Sequence, residues 1–263
     1  ENYIWGESGN NLHIGNNAYY NSGYKYVSTD EASSYTQYGG THAWYTAASG
    51  SADAALTWTQ TLYIDASGNI IIPNSGGTLQ TATAGSQNVR IGENAGDAIA
   101  AGGNYNIFVG YNAGTSNTIG DENVAIGHAA LLANVAGSKS TAIGQGALNA
   151  QNKASDAAGD QHNTAVGYHA GVAVSEAVDN TLIGSIAGDS LNTGGNNTAV
   201  GKQALSADTK GGTAVAIGQL ALGAQNFTDA MDNYNVAIGY SAGVGIAAAG
   251  GEIAGRYNTL IGG

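Results

Sequence analysis

The chain contains no cysteine and one proline, Pro73, among its 263 residues. Without cysteine there can be no disulfide, no thiolate metal site and no cysteine nucleophile. Charged residues make up only 10% of the chain, with 7 Lys and Arg against 19 Asp and Glu. Because no basic patch is present, we expect no binding to nucleic acid. No apolar run approaches the ~20 residues that span a bilayer, so we expect no membrane insertion.

Glycine, by contrast, is abundant, with 42 residues, and hydrophobic residues make up 43% of the chain. So much glycine would indicate disorder if proline and charge were also high. Since both are low, the composition predicts a packed structure that is rich in turns.

A short phrase recurs along the chain: Asn, Thr or Val, Ala, Ile or Val, and then Gly. It appears as NTAVGYHA from Asn163, NTAVGKQA from Asn197 and NVAIGYSA from Asn235. The base period is 17 residues, as between Gly167, Gly184 and Gly201, and three of the intervals carry insertions of 4 or 6 residues. The repeat glycines are Gly92, Gly110, Gly127, Gly144, Gly167, Gly184, Gly201, Gly218, Gly239 and Gly262.

A β-branched strand that ends at glycine and recurs at this period predicts a β-solenoid or β-roll of ~17-residue coils, and hence an all-β fold. Helix is disfavoured because each glycine inside a helix costs ~1 kcal/mol. We expect the Ile and Val before each glycine to stack inside the coil and the Asn side chains to form a ladder. The Ala column, on the opposite face, is then expected to press on neighbouring chains, as in an intertwined homotrimer.

The repeat and its interruptions divide the chain into four regions. We expect residues 1–18 to form a first solenoid-like coil, 19–68 an aromatic-rich antiparallel β module, 69–87 a return strand and linker, and 88–263 the solenoid. The longer intervals, around Gln151–His162, Gln225–Asn233 and Gly245–Arg256, are expected to protrude as loops.

The aromatic module holds the candidate receptor-binding residues Tyr35, Tyr38, Trp44 and Tyr45. Aromatic rings stack on sugar faces, which favours a host polysaccharide or protein as ligand. The alternative is that a small β module needs large side chains for its core. In adjacent pairs such as Trp44–Tyr45, one ring should face outward.

The phrases NTAVGYHAG and NVAIGHAAL resemble the head repeats of trimeric autotransporter adhesins, which fold as trimeric β-rolls. YIDASGNIII from Tyr63 and GGTHAWYTAASGSADAALTW from Gly39 resemble phrases of phage tail-fibre proteins. The resemblances imply a homotrimeric structural fibre of a phage virion, in its tail or capsid fibre. It would contact other fibre or baseplate proteins and act as a rigid spacer, with a role in host attachment. The alternative is a bacterial trimeric surface adhesin.

Two further patterns in the sequence are typical of other functions. GYSAG at Gly239–Gly243 matches the nucleophile motif G-x-S-x-G, but that motif needs a strand-to-helix turn. We therefore expect no enzyme, and no cofactor or metal site. A column of Thr141, Thr164, Thr181 and Thr198 would suit an ice-binding surface if it were exposed. We expect it to be interior, because it shares a strand face with the Ile and Val column.

Overall fold

The computed structural model describes residues 2–5, 12–20, 22–71, 85–100, 102–153, 159–245 and 255–262. These residues form strands and turns, and they contain no α-helix, so the predicted all-β fold is confirmed. The chain divides into two compact units, residues 1–79 and 80–263. The division lies within the predicted connection of residues 69–87.

Unit 1 is an antiparallel module. Its six-stranded sheet has the order β1-β2-β5-β6-β7-β8, and β3 pairs with β4 in a separate hairpin. The strands are β1 (Asn2–Trp5), β2 (Leu12–Asn16), β3 (Ala18–Tyr20), β4 (Tyr24–Tyr26), β5 (Asp30–Tyr38), β6 (Thr41–Gly50), β7 (Thr59–Ile64) and β8 (Ile70–Ile71).

The prediction that residues 1–18 form a first solenoid-like coil was wrong. Ile14 of β2 pairs antiparallel with Ile4 of β1 and with Tyr35 of β5. The phrase around Gly15 copies the repeat, but no second copy follows it at the repeat period. Without a coil to stack on, the strand completes its hydrogen bonds with the antiparallel strands beside it.

A small cluster of buried side chains holds unit 1 together. It comprises Ala18, Tyr26, Ala32, Ala47 and Leu56, with Trp58 packed against it. Small alanines on β5 and β6 leave room for the Tyr26 ring. That ring lies so close to Gly50 that a Cβ there would overlap it. Trp58 is the largest aromatic of this core, whereas Trp44 lies outside it.

Unit 2 is a parallel β-solenoid, as predicted. Ten short strands stack in one sheet, and each pairs with the next in register, as Thr164 does with Thr181 and Thr181 with Thr198. The strands are β9 (Val89–Ile91), β10 (Ile107–Val109), β11 (Val124–Ile126), β13 (Thr141–Ile143), β15 (Thr164–Val166), β16 (Thr181–Ile183), β17 (Thr198–Val200), β19 (Val215–Ile217), β21 (Val236–Ile238) and β22 (Thr259–Ile261).

The strand faces are inverted relative to the prediction. The middle residue of each strand, usually Ala, faces the coil interior, and Ala142, Ala165 and Ala199 are completely buried. The Ile and Val columns that we expected inside face outward, and Ile183 is 39% exposed. Alternation along a strand requires only that the two sets face opposite sides. At the strand the narrow interior accepts mostly alanine, because larger buried side chains such as Leu131 and Leu148 at the turns fill the rest of the coil, and this decides which set lies inside.

Large and small residues alternate inside the solenoid so that its volume stays filled. Phe108 and Leu182 occupy the alanine column, and the glycines Gly114 and Gly188 lie against their rings or methyl groups. In four of the strands that carry alanine, as at Ala125, the corner position carries leucine instead, as at Leu131. This exchange keeps the interior at the close packing that protein cores require.

The predicted asparagine ladder is present beside the sheet. Asn163 Oδ1 accepts a hydrogen bond from the backbone N–H of Asn180, and Asn180 Oδ1 accepts one from the N–H of Asn197, each at 3.0 Å. Each amide group also donates to a carbonyl of its own coil, as Asn197 Nδ2 does to Gly211 O at 2.9 Å. Every member before the last, Asn258, is buried, so the ladder satisfies backbone groups that water cannot reach.

The ladder is interrupted at two longer coils, and in each of them a glutamine side chain takes over a hydrogen bond to the next asparagine. Ser140 and Ala214 stand where asparagine is expected, and Gln151 and Gln225 are buried inside the coils that follow. Gln225 Oε1 accepts from Asn235 Nδ2 at 2.7 Å. The longer glutamine side chain thus reaches the asparagine amide group that has no asparagine partner on the preceding coil.

The longer intervals do not all protrude. Gln225–Asn233 contains Phe227, which is completely buried, and part of a two-stranded sheet of β18 (Gly211–Gly212) and β20 (Met231–Asp232). A matching pair is formed by β12 (Gly137–Ser138) and β14 (Gly159–Asp160). Expected loop residues 154–158 and 246–254 lie outside the described residues.

Asp208 is a completely buried carboxylate in this interior. It accepts hydrogen bonds from Gln225 Nε2 at 2.6 Å and from the backbone N–H groups of Gly211 and Phe227. Desolvation nevertheless raises its pKa above the ordinary value of 3.8, and these hydrogen bonds only partly oppose the shift. A carboxylate suits this position because the amide nitrogen of Gln225 donates a hydrogen bond to it, while the amide oxygen of Gln225 accepts one from Asn235.

We expect Asp208 to give the protein a pH-dependent stability that Asp208→Asn removes. Because its pKa is raised on folding, the folded chain holds the proton more tightly than the unfolded chain. The free energy of unfolding should therefore fall as pH rises from about 3.8 through the raised pKa. Denaturant titrations of wild type and Asp208→Asn across this range measure the difference. Glu93→Gln, at an exposed carboxyl, is the control; an unchanged slope in Asp208→Asn would contradict the assignment.

Candidate functional site

The outward face of the ten-stranded sheet is an uncharged, mostly apolar surface. Each strand contributes its first and third residues to it, which are Val, Ile or Thr throughout. In the interior strands Ile126, Ile143 and Ile217 remain 36–38% exposed even though their neighbours above and below partly cover them. We call this surface the Ile/Val face. The threonine column that was predicted to be interior also lies on it.

The Ile/Val face is large. Ten strands spaced by about 4.8 Å extend for about 43 Å, and two outward residues per strand give a width of about 10 Å. An uncovered patch of about 400 Å² is at the size that marks interaction surfaces on soluble proteins. The face therefore has the size and the composition of an interaction surface.

One group of charged side chains of the solenoid lies at the turn before the asparagine ladder. Lys139 Nζ lies 2.8 Å from Asp160 Oδ2, and His162 lies between Asp160 and Asp179 at 3.7 and 3.5 Å. The hydrogen bond between these two side chains raises the pKa of Lys139 and lowers the pKa of Asp160. These groups leave the Ile/Val face free of charge, although the chain carries a net charge of −12.

Unit 1 carries the second candidate surface, an open groove of 660 Å³ across its antiparallel sheet. The cross-strand row of Ile14, Tyr35 and Trp44 forms its apolar side. The rings of Tyr35 and Trp44 lie 5.1 Å apart at an angle of 46°. Tyr35 OH also contacts His42 Nδ1, which fixes the orientation of the phenol ring.

The four predicted receptor-binding residues are only partly brought together. Tyr35 and Trp44 lie side by side on the groove, and Trp44 is 37% exposed, as expected for the outward member of its pair. Tyr45 also lines the groove, but its ring packs 6.4 Å from that of Trp58 in the core. Opposite these two residues, Thr61 is an extra residue on β7 that shifts the register of the pairing. Tyr38 is exposed at the end of β5, outside the groove.

Sequence reasoning missed the polar row of the groove. This row runs across β2, β5 and β6 and consists of the paired residues Asn16, Ser33 and Thr46. It lies next to the row of Ile14, Tyr35 and Trp44, which we call the aromatic row. Each lies two residues along its strand from a member of the aromatic row, which places it on the same face. Strand pairing was the missing information, since Asn16 was expected to belong to a solenoid coil.

The motif at Gly239–Gly243 has no catalytic setting in the described residues. Ser241 lies in the turn after β21 in a left-handed conformation, with φ of 53°, and no helix follows in the part of the chain that is described. Among those same residues, no group of three or more His, Asp or Glu side chains could hold a metal ion. Nor does any helix there have the length and apolarity to cross a membrane.

Comparison with known proteins does not identify the chain. Neither the scan against protein-family models nor the searches of curated proteins and of solved structures found a match. The function must therefore be argued from the two surfaces described above.

Proposed function

We propose that the chain is a structural fibre component of a phage virion, in a tail or capsid fibre, where it acts as a rigid spacer and contributes to host-surface attachment. In this proposal the chain works as a homotrimer at the particle surface, joined to other fibre or baseplate proteins. The phrases from Gly39 and Tyr63 that resemble phage tail fibres support the virion setting. The acidic, cysteine-free solenoid suits a spacer whose rigidity comes from stacked coils.

The observation that carries the proposal is the exposed Ile/Val face. A second copy of this chain presents the same columns at the same spacing, so every strand finds an equivalent partner along the whole face. No charge on the face opposes this approach, whereas the rest of the acidic chain would repel a copy of itself. Self-association is thereby directed to one surface. The resemblance to trimeric β-rolls favours three copies.

The oligomeric state of the full chain tests this function. We expect light scattering after size exclusion to give the mass of a trimer of the 26.2 kDa chain at micromolar concentration, and the trimer to resist SDS. Immunogold labelling should then place the chain on fibres of phage particles. A folded monomer at micromolar concentration would refute the trimer, and particles without label would refute the virion setting.

A bacterial trimeric surface adhesin is the rival setting for the same assembly. It shares the trimeric solenoid and differs in attachment, since an adhesin is joined to an outer-membrane anchor. Labelling of bacterial surfaces in the absence of phage would favour the adhesin.

Ice binding is a second candidate, because the threonine column lies outward rather than inside. Thr141, Thr164, Thr181 and Thr198 stand on four consecutive strands of the sheet, paired in register. The same face cannot bind ice and be buried between copies. A monomer with measurable thermal hysteresis would favour ice binding, and a trimer without hysteresis would exclude it.

A further inference from the structure

We propose that the groove of unit 1 binds a neutral saccharide. The site consists of Tyr35 and Trp44 together with Asn16, Ser33 and Thr46. This inference deepens the host-attachment part of the proposed function, and it depends on that function only in placing the glycan on a host cell surface.

The aromatic rings on one side of the groove are available to a ligand, because they are not part of the hydrophobic core of unit 1. The module's core is built by Tyr26, Leu56 and Trp58 on other parts of the unit, and neither Tyr35 nor Trp44 belongs to that cluster. Trp44 stays 37% exposed on the groove, and the hydrogen bond with His42 holds the Tyr35 ring in place. Preorganised, half-exposed rings are suited to stack against the C–H face of a pyranose at low entropic cost.

The polar side of the groove offers hydroxyl and amide groups at a matching distance. Asn16, Ser33 and Thr46 run parallel to the aromatic row, about 7 Å away, since two residues along a strand span that length. Asn16 Oδ1 already accepts from the N–H and hydroxyl groups of Ser33, each at 2.9 Å. This pairing points the Asn16 amide in a defined direction, so that its Nδ2 can donate to a sugar hydroxyl.

The charges around the groove select against acidic sugars. Among the described residues, no charged side chain lines it. Lys25 is the only lysine or arginine in residues 1–79. The adjoining groove, which shares the polar row, carries the carboxylates of Asp30 and Glu31. A uronate or sialate would meet these carboxylates without a cation to pair with, whereas an uncharged hexose loses nothing. The ligand class is therefore a neutral glycan.

Affinity electrophoresis of the full chain in gels containing matched polysaccharides tests the inference. Polygalacturonate and alginate are each paired with their own carboxyl-reduced derivative, so that the two members of a pair differ only in their carboxylates; an array of neutral glycans extends the panel. At neutral pH we expect retardation by at least one neutral glycan and none by its anionic counterpart. Trp44→Ala should weaken the binding about tenfold, as loss of one aromatic stacking contact does.

Two further variants make the result specific. Asn16→Asp keeps the acceptor for Ser33 but removes the Nδ2 donor, so it should weaken binding without disturbing the sheet. Tyr38→Ala removes an exposed ring outside the groove and should bind like wild type. Binding to no neutral glycan, equal binding of the anionic polymers, or full binding by Trp44→Ala would each overturn the inference. The oligomeric mass of each variant is measured alongside, because a trimer that binds no glycan refutes this site and leaves the spacer function standing.

Discussion

Replacing Ile183 with Asp is expected to convert the proposed trimer into folded monomers. Ile183 lies in the middle of the Ile/Val face, paired in register with Val166 and Val200 on the neighbouring strands. In a single chain the carboxylate would reach water, because this position is 39% exposed, so the coil should survive. Between copies it would be buried without a cation, which costs roughly 3 kcal/mol or more for each chain. Light scattering measures the mass, and circular dichroism the retained β-structure.

Two neighbouring positions serve as controls for this experiment. Leu182→Asp places the same charge one residue earlier, in the completely buried interior, and should unfold the solenoid itself. Tyr168→Ala, at an exposed corner outside the two columns, should leave both mass and fold unchanged. A trimer that persists in Ile183→Asp would contradict the proposed interface. Equal unfolding of the 182 and 183 variants would contradict the assignment of the strand faces.

Replacing Gly184 with Ala is expected to destabilise the solenoid by about 2–6 kcal/mol, through backbone strain and overlap together. Gly184 has φ of +135°, a conformation that residues with a Cβ rarely adopt. An added Cβ would also lie 2.5 Å from the carbonyl oxygen of Gly201 on the next coil. The stacking distance between coils therefore leaves no room for a side chain. Chemical denaturation of the purified variant measures the loss.

Gly262→Ala separates the two causes. Gly262 occupies the same column with φ of +122°, but no atom lies within 4 Å of where its Cβ would be. It carries the conformational strain without the overlap, so we expect a loss of about 1–3 kcal/mol. If both variants lose the same stability, overlap between coils contributes nothing and the account of the glycine column is incorrect.

Much of the solenoid could be predicted from the sequence, because a repeat shows its period directly. The strand before each glycine, the turn at glycine and the asparagine ladder all follow from local chemistry, and Asn180 and Asn197 occupy the predicted positions. The structure of unit 1 was harder to predict from the sequence. A single copy of the repeat phrase around Gly15 resembled a coil, yet its strand pairs antiparallel. Which strands become neighbours in a non-repeating sheet is decided by contacts distant in sequence, and these also assembled the polar row of the groove.

The amino-acid sequence by itself determined that this protein is all-β, that its coils repeat at 17 residues, and that the Ile/Val and Ala columns lie on opposite faces of each strand. Only the tertiary structure decided which of those faces is inside. The interior of so small a coil holds one leucine or phenylalanine where a glycine makes room, and alanine at most other strands. The larger β-branched columns are consequently excluded from the interior and form the outer surface on which the proposed assembly depends.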